Sequence, residues 1–130
     1  MASSAGLHPD LIDKIEKVLS AMAAIGFPMR ICQSVRTASE QHELWRKGRD
    51  LPGPKVTNCD GYTRKSNHQI TADGFGHAVD CCFTVGEPFG EGQPWSAYGT
   101  LGEAVGLAWG GRWTNPVDRP HLELKPLTLL

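Results

Sequence analysis

The residues able to do hydrolytic chemistry gather in the second half of the chain. Of five histidines, His8 and His42 lie at the edges of expected helices, where a solvated ring is the ordinary state; His68, His77 and His121 fall in the turn-rich part. Zinc takes imidazole nitrogens and carboxylate oxygens that converge from separate segments, and a catalytic zinc keeps one position open for water. Two histidines and one carboxylate would supply three protein ligands. Asp80 stands out among the carboxylates because it interrupts the apolar run Ala78-Val79-Asp80-Cys81-Cys82-Phe83, where a charge is costly unless paired. A metal would pair it, and so would an arginine such as Arg36; spacing alone favours neither.

Strand alternation narrows the choice. In a strand over residues 77–83, Ala78, Asp80 and Cys82 share one face while His77 and Val79 share the other. His77 and Asp80 therefore make a poor ligand pair. The run Asp118-Arg119-Pro120-His121-Leu122-Glu123 holds a second carboxylate: Pro120 keeps Arg119 extended and leads into a strand at His121, with Asp118 across the bend. A carboxylate there could take the proton of a water that zinc has acidified to a pKa of about 7. Taken alone, a turn aspartate bonded to backbone amides is the simpler reading. Glu123 shares a strand face with His121 and either holds that ring or sits solvated at the edge.

A scaffold must bring these groups together. The 130 residues fit a single domain, 1–130, large enough to bury a core. With 13 basic and 14 acidic residues the formal net charge is −1, which excludes a nucleic-acid binder relying on a broad basic surface. No apolar run approaches the roughly 20 residues that cross a bilayer, so no membrane insertion is expected. MASSAGLHPD lacks a basic stretch followed by an apolar one, and the expectation is synthesis in the cytoplasm without a signal peptide. Cys32, Cys59, Cys81 and Cys82 form no CxxC pair; a cytosolic setting disfavours structural disulfides, and Cys81 and Cys82 read as small residues of a half-buried strand.

A first helix begins at Pro9, repeats Leu11, Ile15, Val18, Leu19 and Met22 at helical spacing, and is stopped by Gly26 and Pro28. Residues 29–35 read as a strand and 37–47 as a helix with Leu44 and Trp45 facing inward. A long loop over 48–65 is of the kind that often carries function. A strand over 77–85, a helix over 95–107 weakened by Gly99, Gly102 and Gly106, and a short strand over 121–124 complete the expectation. Without a regular βαβ rhythm the class is α+β, a small antiparallel sheet flanked by helices.

The segments Ser66-Asn67-His68, Gly76-His77-Ala78-Val79-Asp80 and Asp118-Arg119-Pro120-His121 resemble the split S-x-H, G-x-A-x-D, [DE]-x-x-H motif of the D-alanyl-D-alanine carboxypeptidase and VanY-type metallopeptidases, peptidase family M15. Trp109-Gly110-Gly111 and Ser34-Val35-Arg36-Thr37 with Glu40 and Gln41 are similar to further family segments, and the resemblance spans about 31–124. Each motif is weak alone; their shared order makes them specific. Within the superfamily the chain resembles the phage L-alanyl-D-glutamate endopeptidases, the endolysin branch.

That resemblance implies a Hedgehog/DD-peptidase-like fold, Zn2+ held by His68, Asp80 and His121, and Asp118 as general base. It implies that Arg36 binds a substrate carboxylate or the developing oxyanion, with Ser66 close by. Trp113 and Tyr62 could line a groove, and Trp109 reads as core. The expected partner is a peptidoglycan stem peptide cut by a monomer that reaches the wall after a holin-type release. His68 and Asp80 are twelve residues apart where the family usually has seven, and the extra residues 71–75 are expected to loop near the cleft. Rivals are a cysteine peptidase using Cys82 or Cys59, a D-alanyl carboxypeptidase, and a zinc-stabilised wall-binding module without catalysis.

Overall fold

The computed structural model describes residues 4–126. Helix α1 (Pro9–Ala24) starts where the His8 ring accepts the Asp10 amide, and it buries Leu11, Ile15, Val18 and Met22 on one face. Each such side chain contributes about 1.5–3 kcal/mol of burial free energy. Strand β1 (Met29–Gln33) leads to α2 (Ala38–Arg46), which Thr37 and Glu40 open with a reciprocal capping box. Then follow β2 (Ala78–Phe83), α3 (Trp95–Ala104), β3 (Leu107–Trp109), a 3-10 turn (Gly110–Arg112) and β4 (His121–Leu124). The four strands pair antiparallel in the order β1-β2-β4-β3. The class is α+β, with the helices flanking a small antiparallel sheet.

Several local expectations need correction. The helix expected over 95–107 stops at Ala104, because Gly106 takes a positive φ of 93° and turns the chain into β3, a strand that helical spacing concealed. Gly99 and Gly102 weaken that helix but admit the Trp109 indole and the Leu122 side chain against its backbone. In α2 the residue facing inward is Gln41, while Leu44 and Trp45 are half-buried. Strand β2 is buried throughout, not half-buried. Cys32 and Cys82 are joined in a disulfide across β1 and β2, with Cα atoms 6.1 Å apart. Sequence spacing gave no sign of it, because 50 residues separate the two and only antiparallel pairing with a bulge between Ile31 and Gln33 brings them together.

Aromatic residues brace the turn that carries His121. Trp109 is core, with its indole between Gly99 and Gly111 and its Nε1–H donating to the Arg119 carbonyl at 2.8 Å. Tyr98, fully buried, donates its hydroxyl to the Pro120 carbonyl at 2.7 Å. Two buried ring systems therefore hold consecutive carbonyls just ahead of His121, which rigidifies its approach to β2.

Candidate metal centre and cleft

His68, Asp80 and His121 meet although they come from a loop, β2 and β4; one ligand atom from each lies within 4.8 Å of the others. β2 and β4 place Asp80 directly opposite His121 in the antiparallel ladder. His68 is brought in by its own loop, since the Arg36 amide donates to the His68 carbonyl and the His77 amide to Asn67. All three residues are buried.

Outer hydrogen bonds decide which nitrogen of each ring faces inward. His68 Nδ1 lies 2.8 Å from the Ser34 carbonyl, an acceptor only, so this nitrogen carries a proton and Nε2 points into the site. His121 Nε2 lies 2.7 Å from Glu123 Oε1, a carboxylate whose other oxygen accepts from Asn67 Nδ2 at 2.7 Å. His121 Nδ1 therefore faces His68 Nε2 at 3.2 Å. Asp80 Oδ1 stands 3.3 Å from each of these nitrogens, yet it is buried with no hydrogen-bond partner among the described residues. Its other oxygen, Oδ2, takes Arg36 Nη2 at 3.1 Å. Of the two partners that spacing left open for Asp80, the arginine is therefore found on one oxygen, while the other oxygen is left bare.

Two inward-facing imidazole nitrogens and an orphaned carboxylate oxygen converge on one small volume, and this donor set fits a divalent cation. The electrostatics agree. Burial opposes the Asp80 charge, but the facing His121 and His68 rings outweigh it and hold its carboxyl well below the usual range. Burial likewise opposes protonation of His121, but Asp80 and Glu123 override it and push the ring up to about 9. The cluster favours positive charge, which a proton on His121 or a bound cation would supply.

Above this cluster opens a cleft of about 430 Å³, lined by His68 and His121 together with Arg36, Ser66, Trp113 and Asp118. Asp118 Oδ2 is 3.8 Å from His121 Nδ1. Burial raises the pKa of Asp118, and the nearby Asp80 charge adds to this. Its turn is fastened to the 3-10 segment, where the Asp118 amide donates to the Gly110 carbonyl at 2.9 Å and any Cβ on Gly110 would collide with the Asp118 backbone. Arg36 spends three N–H groups on Gln33, Gln41 and Asp80 and retains two. Ser66 Oγ accepts the His68 amide at 3.2 Å, so its own proton remains free to donate. The Trp113 ring is tilted against His121 at 4.7 Å between centroids.

Other candidates lie elsewhere. Tyr62 packs against His42 and is not among the cleft-lining residues. Residues 71–75 fold away from the cleft: Asp73 binds His77 Nε2 at 2.7 Å, and Phe75 meets the His8 ring. Cys82 is in the disulfide, and burial pushes the Cys81 thiol up to about 12, so neither offers a nucleophile. Cys59 borders the cleft. Sequence reasoning missed three supports: Gln41 under Arg36, Asn67 behind Glu123, and the Ser34 carbonyl behind His68. Gln41 carried a signal, a polar residue on the inward face of an amphipathic helix.

The fold and its buried cluster of two histidines and an aspartate define a candidate metal-dependent hydrolase centre. The sequence profile of the D-alanyl-D-alanine carboxypeptidase family, a branch of peptidase family M15, matches residues 60–124, half of the chain. The chain belongs to this family and is a peptidase by that membership. It is 27% identical over 124 residues to the peptidoglycan L-alanyl-D-glutamate endopeptidase CwlK of Bacillus subtilis, covering 92% of this chain and 74% of that protein. Among solved structures it is similar to the Serratia marcescens L-Ala D-Glu endopeptidase ChiX, with 26% identity and a TM-score of 0.58 over 92% of this chain and 81% of that one. Its fold also matches the vancomycin-resistance D,D-pentapeptidase VanY in complex with Zn(II), at a TM-score of 0.66 and 15% identity over 95% of this chain and 76% of that one.

Proposed function

We propose that this protein is a zinc-dependent peptidase that hydrolyses an amide bond in the stem peptide of bacterial peptidoglycan, specifically the L-alanyl-D-glutamate bond. The observation that carries the reading is the orphaned Asp80 oxygen facing two pre-oriented imidazole nitrogens at the floor of a cleft whose wall holds a second carboxylate. The bond is suggested by the names of CwlK and ChiX. His68, Asp80 and His121 would hold the ion, which when bound supplies a Lewis acid that polarises the scissile carbonyl and acidifies water.

The chain's own groups do the rest. Asp118, its pKa raised by burial, accepts the proton of the attacking water and passes it to the leaving amine. Arg36, fixed by Asp80 and Gln41, turns its two remaining N–H groups toward the oxygen on which charge develops. The Ser66 hydroxyl and the Trp113 ring, which both line the cleft, bind the peptide.

We extend the proposal to a lytic, endolysin-type role in which the protein is made in the cytoplasm and meets the wall once the membrane is opened. The Cys32–Cys82 bridge suits an oxidising location of that kind. Purified protein added to membrane-permeabilised cells should clear the suspension, and failure to do so would remove the lytic role alone.

The deciding experiment is mass spectrometry of purified peptidoglycan after digestion, with and without chelator. The expected products expose a new amino terminus on D-glutamate, disappear with chelator and return with zinc. Release of D-alanine instead would establish the second reading, a carboxypeptidase, which the family description favours. Activity resistant to chelator but abolished by thiol alkylation would move the chemistry to Cys59.

A further inference from the structure

The charges around the cleft are not equally engaged. Five ionic side chains besides the histidines border it: Arg36, Arg64, Lys65, Asp118 and Glu123. Arg36 is bound to Asp80 and Glu123 to His121. Asp118 stands in the wall beside His121, 3.8 Å from its Nδ1. Arg64 and Lys65 form no ion pair with any carboxylate among the described residues, and both are exposed.

Their backbone is nonetheless firmly set. The Asp60 carboxylate accepts the amides of Tyr62, Thr63 and Arg64 together with the Thr63 hydroxyl, all between 2.6 and 3.1 Å. Gly61, at a φ of 90°, presses this turn against α2 where a Cβ would collide with the Ala38 carbonyl. A rigid turn therefore presents two adjacent, uncompensated cations at the mouth of a cleft whose remaining rim is neutral and rich in amides and hydroxyls, from Thr57 and Asn58 to Thr114 and Asn115. Such a wall favours an anion held beside a peptide backbone.

We infer that Arg64 and Lys65 are specificity-determining residues that bind a free carboxylate on the substrate peptide, so that the protein discriminates acidic peptides from the same peptides carrying a carboxamide. The inference rests on the peptidase reading above and adds to it the charge state of the substrate.

The test uses two synthetic stem peptides that differ only in whether the glutamyl α-carboxyl is free or amidated. Each is titrated calorimetrically into the zinc-loaded Asp118→Ala protein, and its cleavage by the active protein is followed in parallel. The acid should bind and be cut about tenfold better, the worth of one charge-assisted hydrogen bond, with the gain lying in KM and shrinking as salt rises. The Arg64→Gln/Lys65→Gln variant should lose the preference by raising KM for the acid, leaving kcat and the carboxamide unchanged. Equal binding of the two peptides, or an equal loss on both in the variant, overturns the inference. Selective binding without cleavage would sustain the carboxylate site and overturn the hydrolytic reading instead; neither binding nor cleavage would overturn both.

Discussion

Among the described residues, two constellations of two histidines and one aspartate share their residue types and differ in burial and in hydrogen bonding. His68, Asp80 and His121 are buried, their rings are turned inward by outer partners, and one aspartate oxygen has no partner among the described residues. His8, Asp73 and His77 are at least partly exposed. There Asp73 is satisfied by Thr71, Phe75 and His77, while His8 spends Nδ1 on capping α1 and its Nε2 stays 3.9 Å from Asp73. The second group is a local clasp between the residue 71–75 loop and the start of α1. A metal site is recognised by convergent donors that folding leaves unsatisfied, not by the composition of the cluster.

The contrast can be broken most severely at its centre. His121→Ala should abolish stoichiometric zinc binding and reduce peptide cleavage to background, as read by metal analysis after dialysis and by product assay. Asp118→Ala should separate chemistry from binding, with turnover falling about 10²- to 10⁴-fold while zinc remains bound. A variant that kept full activity would remove Asp118 from the mechanism.

Glu123→Ala should sharpen the picture by releasing the His121 ring without removing a ligand. Zinc affinity should fall about 10- to 100-fold in a competition titration; no change would reduce Glu123 to an edge residue. The smallest effect is expected in the exposed cluster, where Asp73→Asn should leave zinc affinity unchanged. Hydrogen bonding to Thr71, then to His77 and the Phe75 amide, lowers Asp73 to about 2, against the opposing effect of desolvation. A depressed carboxylate contributes stability above its ordinary pKa, near 4, and loses it as pH falls toward about 2. Thermal unfolding between pH 5 and 2 should therefore be less acid-sensitive in Asp73→Asn than in the unaltered protein.

Legibility in the sequence followed the range of the interaction. The parity of the 77–83 strand separated Asp80 from His77, and in the structure these side chains serve different clusters. The helical spacing of Leu11, Ile15, Val18 and Met22 marked the buried face of α1. Each of these is decided within a few residues by backbone period. Gln41 showed only as a polar residue on a helix face, and what it holds was hidden because its partners, Arg36 and the Thr57–Cys59 stretch of the long loop, come from two segments that only the folded chain assembles. β3 was hidden because its neighbour in the ladder, β4, lies beyond an intervening turn and supplies the pairing that three residues could not sustain alone.

By itself the sequence determined the periodic elements, the sites where glycine and proline end them, and the set of side chains chemically able to bind a metal, because these depend on local geometry and residue type. Tertiary structure alone decided which oxygen of Asp80 meets Arg36 and which is left bare, which nitrogen of each imidazole turns inward, and which cations stand free at the cleft mouth. Those outcomes depend on hydrogen-bond partners drawn from distant strands and loops and on the exclusion of water, neither of which exists until the sheet has closed over them.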